Sequence, residues 1–115
     1  MTTPYVPDRG DLVWIDVDPQ AGHEQAGRRP ALVLSARIYN AGPRRLAIIC
    51  PVTSKAKGYP FEVSVPPGSG ADGGVIIADQ VRSLDWVARS ATSLGRVPEA
   101  TVRGVTDLIA TLLGL

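Results

Sequence analysis

Apolar residues fall in short runs along most of this chain and then, near its end, at helical spacing. GDLVWIDVD at 10–18 is rich in Val, Ile and Trp and ends in Asp-Pro, which predicts a strand followed by the long polar loop QAGHEQAGRR. RPALVLSA at 29–36 and RLAIICPV at 45–52 are apolar runs bounded by Pro and Gly, as expected of strands buried on both faces. The basic ARIYNAGPR between them reads as a connection with room for one helical turn. YPFEVSV at 59–65 alternates, with Phe61, Val63 and Val65 on one face, before PPGSGADGG at 66–74 imposes a turn or flexible loop. GVIIADQV predicts a further strand, SLDWV a link, and ARSATSLGRV at 88–97 a weak strand whose small polar residues suit a sheet edge.

The period changes in PEATVRGVTDLIATLLGL. Val102, Val105, Ile109, Leu112 and Leu113 recur every three or four residues, and Pro98 suits a first helical position, so one amphipathic helix closes the chain. Short strands, turn-rich connections and a single terminal helix predict a mainly β fold of the α+β class, a small, partly open SH3-like barrel with the helix packed on it. At 115 residues the chain holds one core and is read as a single domain, 1–115.

Composition narrows the class. With 44% hydrophobic and 20% charged residues the chain carries enough apolar surface to fold. No apolar run approaches the roughly 20 residues of a membrane span, and MTTPYVPDRG lacks the order of a signal peptide, so no membrane partner and a cytoplasmic location are expected. Cys50, the only cysteine, sits in an apolar run and reads as a buried thiol. Net charge is only +1, but its distribution is uneven. Residues 28–57 carry Arg28, Arg29, Arg37, Arg44, Arg45, Lys55 and Lys57 without one acid, whereas residues 1–24 hold Asp8, Asp11, Asp16, Asp18 and Glu24. Such a segment suits an anionic ligand, or simply solvated loops and strand edges.

Several reaction classes lack their residues. There is no phosphate loop of the GxxxxGK[ST] type, no GxGxxG and no GxSxG elbow. One histidine and one cysteine give no His- or Cys-rich metal site, so neither metal nor cofactor is expected. What remains is polar and loop-borne: Glu24, Arg28 and Arg29 just before one buried strand, and Thr53, Ser54, Lys55 and Lys57 just after another, which a barrel brings to one rim. That set suits phosphodiester cleavage by the RNA 2′-hydroxyl, where the protein aligns the nucleophile, stabilises charge on the phosphoryl oxygens and manages two protons. Arg29 is suited to grip phosphate through its planar fork, and Thr53 to donate a hydroxyl bond to the same group. Arginine is a poor base, which leaves Glu24 or His23 as the easier choice and the acid open. The same residues also suit structural roles: an ion pair for Arg29, a strand-end hydroxyl for Thr53, plain solvation for Glu24. Trp14 and Trp86 could stack on RNA bases through a π face that tolerates any base, but both lie in apolar blocks and read as core. Tyr39 and Tyr59 lie in or beside polar loops and are better placed to stack on bases, while Gln80 and Arg82 either reach base edges or cover the barrel.

The segments YVPDRGDLVWIDVDP, GHEQAGRRPALVLS, PVTSKAKGYPFEV and ADQVRSLDW resemble, in order and spacing, the successive blocks of MazF/PemK-like toxin endoribonucleases of type II toxin–antitoxin systems. The resemblance covers nearly the whole chain. It implies a barrel homodimer that cuts single-stranded RNA at a short motif, independently of ribosome and metal, leaving 2′,3′-cyclic phosphate and 5′-hydroxyl ends. It implies a cognate MazE-like antitoxin whose acidic tail covers the RNA groove. Arg29 in GRRP matches the family's catalytic arginine, Thr53 in PVTS its catalytic threonine, and Glu24 an acidic residue implicated in some members. His23 and Arg28 stand where relatives vary. RNA contacts are then expected from Arg28, Ser54, Lys55, Lys57, Tyr39, Gln80 and Arg82. Two rival readings keep the fold: a gyrase-poisoning toxin, which would lack the arginine–threonine pair and work through the terminal helix, and a noncatalytic barrel that only binds nucleic acid or peptide.

Overall fold

The structure is a computed structural model that describes residues 4–17 and 27–115. Strands β1 (Asp11–Asp16), β2 (Arg28–Val33) and β3 (Leu46–Thr53) form an antiparallel meander, with the short helix α1 (Arg37–Asn40) between the last two. β4 (Glu62–Ser64) and β5 (Val75–Ile77) follow, then β6 (Arg82–Asp85), β7 (Thr92–Arg96) and the helix α2 (Glu99–Leu112). The sheet runs β4-β5-β3-β2-β1-β7, and β3 is long enough to pair with β6 as well. The order does not return on itself, so the barrel is partly open, with a C-terminal helix as the hydrophobic pattern predicts.

The central strands carry apolar side chains on both faces, and each face is buried by a different partner. Leu12, Leu32, Cys50, Val52 and Ile76 point into one cluster, closed by Val102 and Val105 of α2. Val13, Ile15, Ala31, Val33 and Ile49 point the other way, into a second cluster closed by Leu84, Trp86 and the N-terminal Tyr5 and Val6. Period-two alternation sends neighbouring residues to opposite faces, so two cores arise from one set of strands. Cys50 is buried, and desolvation, with a smaller contribution from the Asp79 charge, pushes its thiol up to about 12, which keeps it protonated and unreactive.

Four local expectations need correction. The strand expected over GVIIADQV stops at Ile77 and tightens into a 3-10 turn, Ala78–Gln80. The link expected at SLDWV holds β6, which pairs with β3 from Leu46↔Asp85 to Ile49↔Arg82; its one buried apolar residue, Leu84, leaves no periodic signal. Pro98 caps α2 rather than opening it, and the helix buries Val102 and Val105 but leaves Leu112 and Leu113 exposed. Trp14, expected in the core, is 39% exposed: it lies two residues beyond Leu12 on the same face, outside the cluster that α2 covers. Trp86 is buried as expected, its Nε1 donating to the Asn40 carbonyl at 2.8 Å.

The loop at 66–74 is pinned at both ends. Gly95 of β7 lies so close to Ser69 that a side chain at 95 would collide with its carbonyl, and the Arg96 N–H donates to that carbonyl at 2.9 Å. Gly74 approaches β3 closely enough that a Cβ there would stand 2.8 Å from Val52 Cγ1. A run expected as a turn or flexible loop is therefore held against β7 at Ser69, which is buried, and against β3 at Gly74.

Candidate active site

β2 begins with Arg28 and Arg29, and antiparallel β3 ends with Thr53. Their register pairs Ala31 with Pro51, Leu32 with Cys50 and Val33 with Ile49, so Arg29 and Thr53 stand two residues past the last pair, at the same end of the ladder. Both line one concavity of about 310 Å³ with Arg28, Ser54, Trp14 and Asp72. Thr53 is nearly buried, and its Oγ1 accepts the Lys55 N–H at 3.2 Å, which uses a lone pair and leaves the hydroxyl proton to be donated into the cavity. Arg28 is partly committed elsewhere: its Nη2 donates to the Ser90 carbonyl at 2.8 Å and to Thr92 Oγ1 at 3.2 Å, tying the start of β2 to the β7 side.

A second concavity of about 320 Å³ adjoins the first, and Thr53 lines both. Here Lys55, Lys57 and Gln80 come together with Tyr59. The Tyr59 ring, half exposed, stacks on Phe61 with centroids 5.1 Å apart. The segment 28–57 contains no acid in sequence, but the fold supplies acids to these cavities from later segments: Asp72 to the first, Glu62 and Asp79 to the second. Glu62 accepts the Lys57 and Gly58 N–H groups at 3.2 and 3.0 Å and so shapes the turn that carries Lys57.

Not every expected residue gathers here. Tyr39 belongs to α1, after the far end of β2, and lines a separate concavity with Ile38, Arg44 and Arg45. From there to Arg29 is the length of the β2–β3 ladder, roughly 15–20 Å at about 3.3 Å per residue, so Tyr39 is not part of this site. Arg82 lines neither cavity; its Nη1 donates to the Val17 carbonyl at 3.4 Å. His23 and Glu24 lie outside the described residues.

Two residues of the first cavity stand out from the sequence reading. Trp14, able to stack on bases, was read as core because of its apolar neighbours, and Asp72 was hidden by a Gly-rich run that looks like plain loop. The Asp72 carboxylate accepts the Gly68 N–H at 2.9 Å and the Gly70 N–H at 3.4 Å; these backbone bonds, Gly68's first, hold it below the usual carboxylate range. The signal that could have raised it is an Asp set among glycines, where N–H groups are free to converge on one anion.

The profile of the PemK-like, MazF-like toxins of type II toxin–antitoxin systems matches residues 8–113. The chain belongs to this family. Among MazF-type relatives, the endoribonuclease toxin MazF of Escherichia coli strain K12 is 47% identical over 99% of this chain and all of its own length. Endoribonuclease PemK of Escherichia coli is 37% identical over 92% of this chain and 81% of its own. The crystal structure of MazF from Deinococcus radiodurans superposes with a TM-score of 0.91 at 53% identity, covering 97% of this chain and 100% of that one. A MazE–MazF complex from the same organism matches with a TM-score of 0.85 at 53% identity over 97% and 99%. The MazF-type fold thus extends over both cavities and the helix.

Proposed function

We propose that this chain is an endoribonuclease toxin that cuts single-stranded RNA at a short motif by attack of the 2′-hydroxyl on the adjacent phosphate, without a metal. The products are a 2′,3′-cyclic phosphate and a 5′-hydroxyl. The observation that carries this reading is the meeting of Arg29 and Thr53, 24 residues apart in sequence, in one concavity at the end of the β2–β3 ladder.

Arg29 offers a fixed cationic fork to the phosphoryl oxygens, and Thr53 a hydroxyl proton to the same group. Both act where negative charge builds in the transition state. The proton of the 2′-hydroxyl passes to Glu24 or His23 in the segment between β1 and β2, and the leaving 5′-oxygen takes a proton from the site or solvent. Lys55, Lys57, Gln80 and Tyr59 in the adjoining cavity carry the strand onward, with Thr53 at the junction. The working form is a cytoplasmic homodimer, and a MazE-like antitoxin with an acidic tail blocks the same basic surface. Naming of the Escherichia coli relatives as endoribonucleases and the existence of MazE–MazF complexes support this reading.

The test is incubation of the protein with a long single-stranded RNA in excess EDTA, followed by mapping of the cut ends. Discrete cuts at one short motif with cyclic-phosphate and 5′-hydroxyl ends are expected; intact RNA, or cleavage only when divalent metal is restored, would overturn the mechanism.

A further inference from the structure

The first cavity contains two side chains that phosphate chemistry does not use. Trp14 presents its ring there, 39% exposed, on the strand next to the one that carries Arg29 and directly across from Pro30. Asp72 is the odd member of a basic site. A carboxylate among phosphate-binding arginines repels the ligand they attract, so its presence calls for a hydrogen-bond donor on that ligand. It is also fixed. The Gly68 and Gly70 N–H groups grip it, and Gly74 and Gly95 pin its loop against β3 and β7.

We propose that Trp14 and Asp72 form a base-reading subsite beside the scissile phosphate, which accepts a base bearing an exocyclic amino group and rejects uracil. This deepens the reading of the cavity as an RNA site and rests on it. A base splayed from a single strand stacks on the Trp14 indole, an interaction indifferent to base identity. Identity is read by the carboxylate. Ionised, it only accepts hydrogen bonds, so it matches the amino groups of adenine, cytosine or guanine. Uracil flanks its one N3–H with two carbonyl oxygens, which face the carboxylate with like charge. The bonds from the loop hold Asp72 ionised and leave it lone pairs to spare, since two oxygens offer about four acceptor positions.

The experiment titrates the whole protein with short 2′-O-methyl oligonucleotides of A, C or U, which cannot be cut because the nucleophile is blocked, and follows tryptophan fluorescence. Trp86 is buried, so the response reports Trp14, and Trp14→Phe should abolish the signal. Quenching by the A and C strands is expected at concentrations at least about tenfold below those needed for U, the scale of one base-edge contact. Asp72→Asn keeps an acceptor for the loop N–H groups but turns a donor outward, and should cut that preference to about threefold or less. Equal titration by all three strands, or an undiminished preference in Asp72→Asn, would overturn the proposal; should the variant unfold, the wild-type comparison still decides. Failure of the wild type to cut natural RNA would remove the nuclease reading alone, because these strands judge the subsite without cleavage.

Discussion

Single residues carry two separable burdens here, chemistry and fold. Arg29→Ala and Thr53→Ala should each lower RNA cleavage by at least about a hundredfold, the scale for losing one donor to a developing oxyanion, with the melting transition intact. Near-normal cutting by either variant would remove that residue from the mechanism. Asn40 stands at the opposite extreme, fully buried and remote from the cavity. Its Nδ2 donates to the Pro7 carbonyl at 2.7 Å and to the Ser35 carbonyl at 3.0 Å, and its Oδ1 accepts from Ser35 Oγ. Ser35 Oγ in turn accepts the Ile48 N–H at 2.9 Å, so one amide links the N-terminal segment, the β2–α1 junction and β3. Truncation strands several buried polar groups at about 1–3 kcal/mol each before relaxation, so Asn40→Ala should lose roughly 2–4 kcal/mol in urea unfolding. A loss below about 1 kcal/mol would mean that water replaces the amide.

At the level of elements, close contacts outweigh propensity. Gly95→Ala should drive the 66–74 loop from β7, costing about 1–3 kcal/mol as overpacking does, and should expose the loop to limited proteolysis where the wild type resists. An unchanged digestion pattern would show that the loop is not held by that contact. The first turn of α2 is joined to the N-terminal segment by Arg9, whose Nε and Nη2 donate to the two Glu99 oxygens at 3.0 and 2.9 Å. The bond from Arg9 is the main reason the Glu99 carboxyl titrates below its usual range. A folded-state pKa depressed in this way adds stability that is present above the unfolded value, near pH 4, and disappears as pH falls through the folded value. Glu99→Gln should therefore melt slightly below wild type at neutral pH, with the gap closing under about pH 4; a constant gap would deny the ion pair any part in it.

The central meander and α2 were legible because their patterns are long: runs buried on both faces in β2 and β3, and four turns of recurring apolar positions at the end. β6 was not, since it is four residues long with one buried apolar side chain. Arg29 and Thr53 were legible as strand-end polar residues beside apolar runs. Trp14 and Asp72 were not, because the exposure of the one depends on where α2 stops covering the sheet, and the placement of the other depends on glycine contacts between segments distant in sequence.

For the molecule as a whole, a net charge of +1 is unevenly arranged. Arg28, Arg29, Lys55 and Lys57 line two adjoining cavities beside Asp72, Glu62 and Asp79, while Asp8, Asp11 and Glu99 pair with arginines around the N-terminal segment and the start of α2. If the four lining cations each neutralise one phosphate, log affinity for single-stranded RNA should fall against log salt with a slope of about −3, from about −0.7 per contact. Fluorescence or filter-binding titrations between low and moderate salt would measure it, and a slope near zero would mean that the cations serve the fold alone. No helix among the described residues is long and apolar enough to cross a membrane.

The pinned loop has a consequence for descent. The strands that bring Arg29 and Thr53 together are central to both hydrophobic clusters, so substitutions in them cost stability. Residues 66–74 reach the same cavity from outside those strands, anchored by backbone bonds and glycine contacts, with Ala71 packed against the cluster that α2 covers. Mutation can therefore explore the exposed Asp72 while Arg29 and Thr53 keep their places. A lineage can acquire new targets without passing through a broken enzyme.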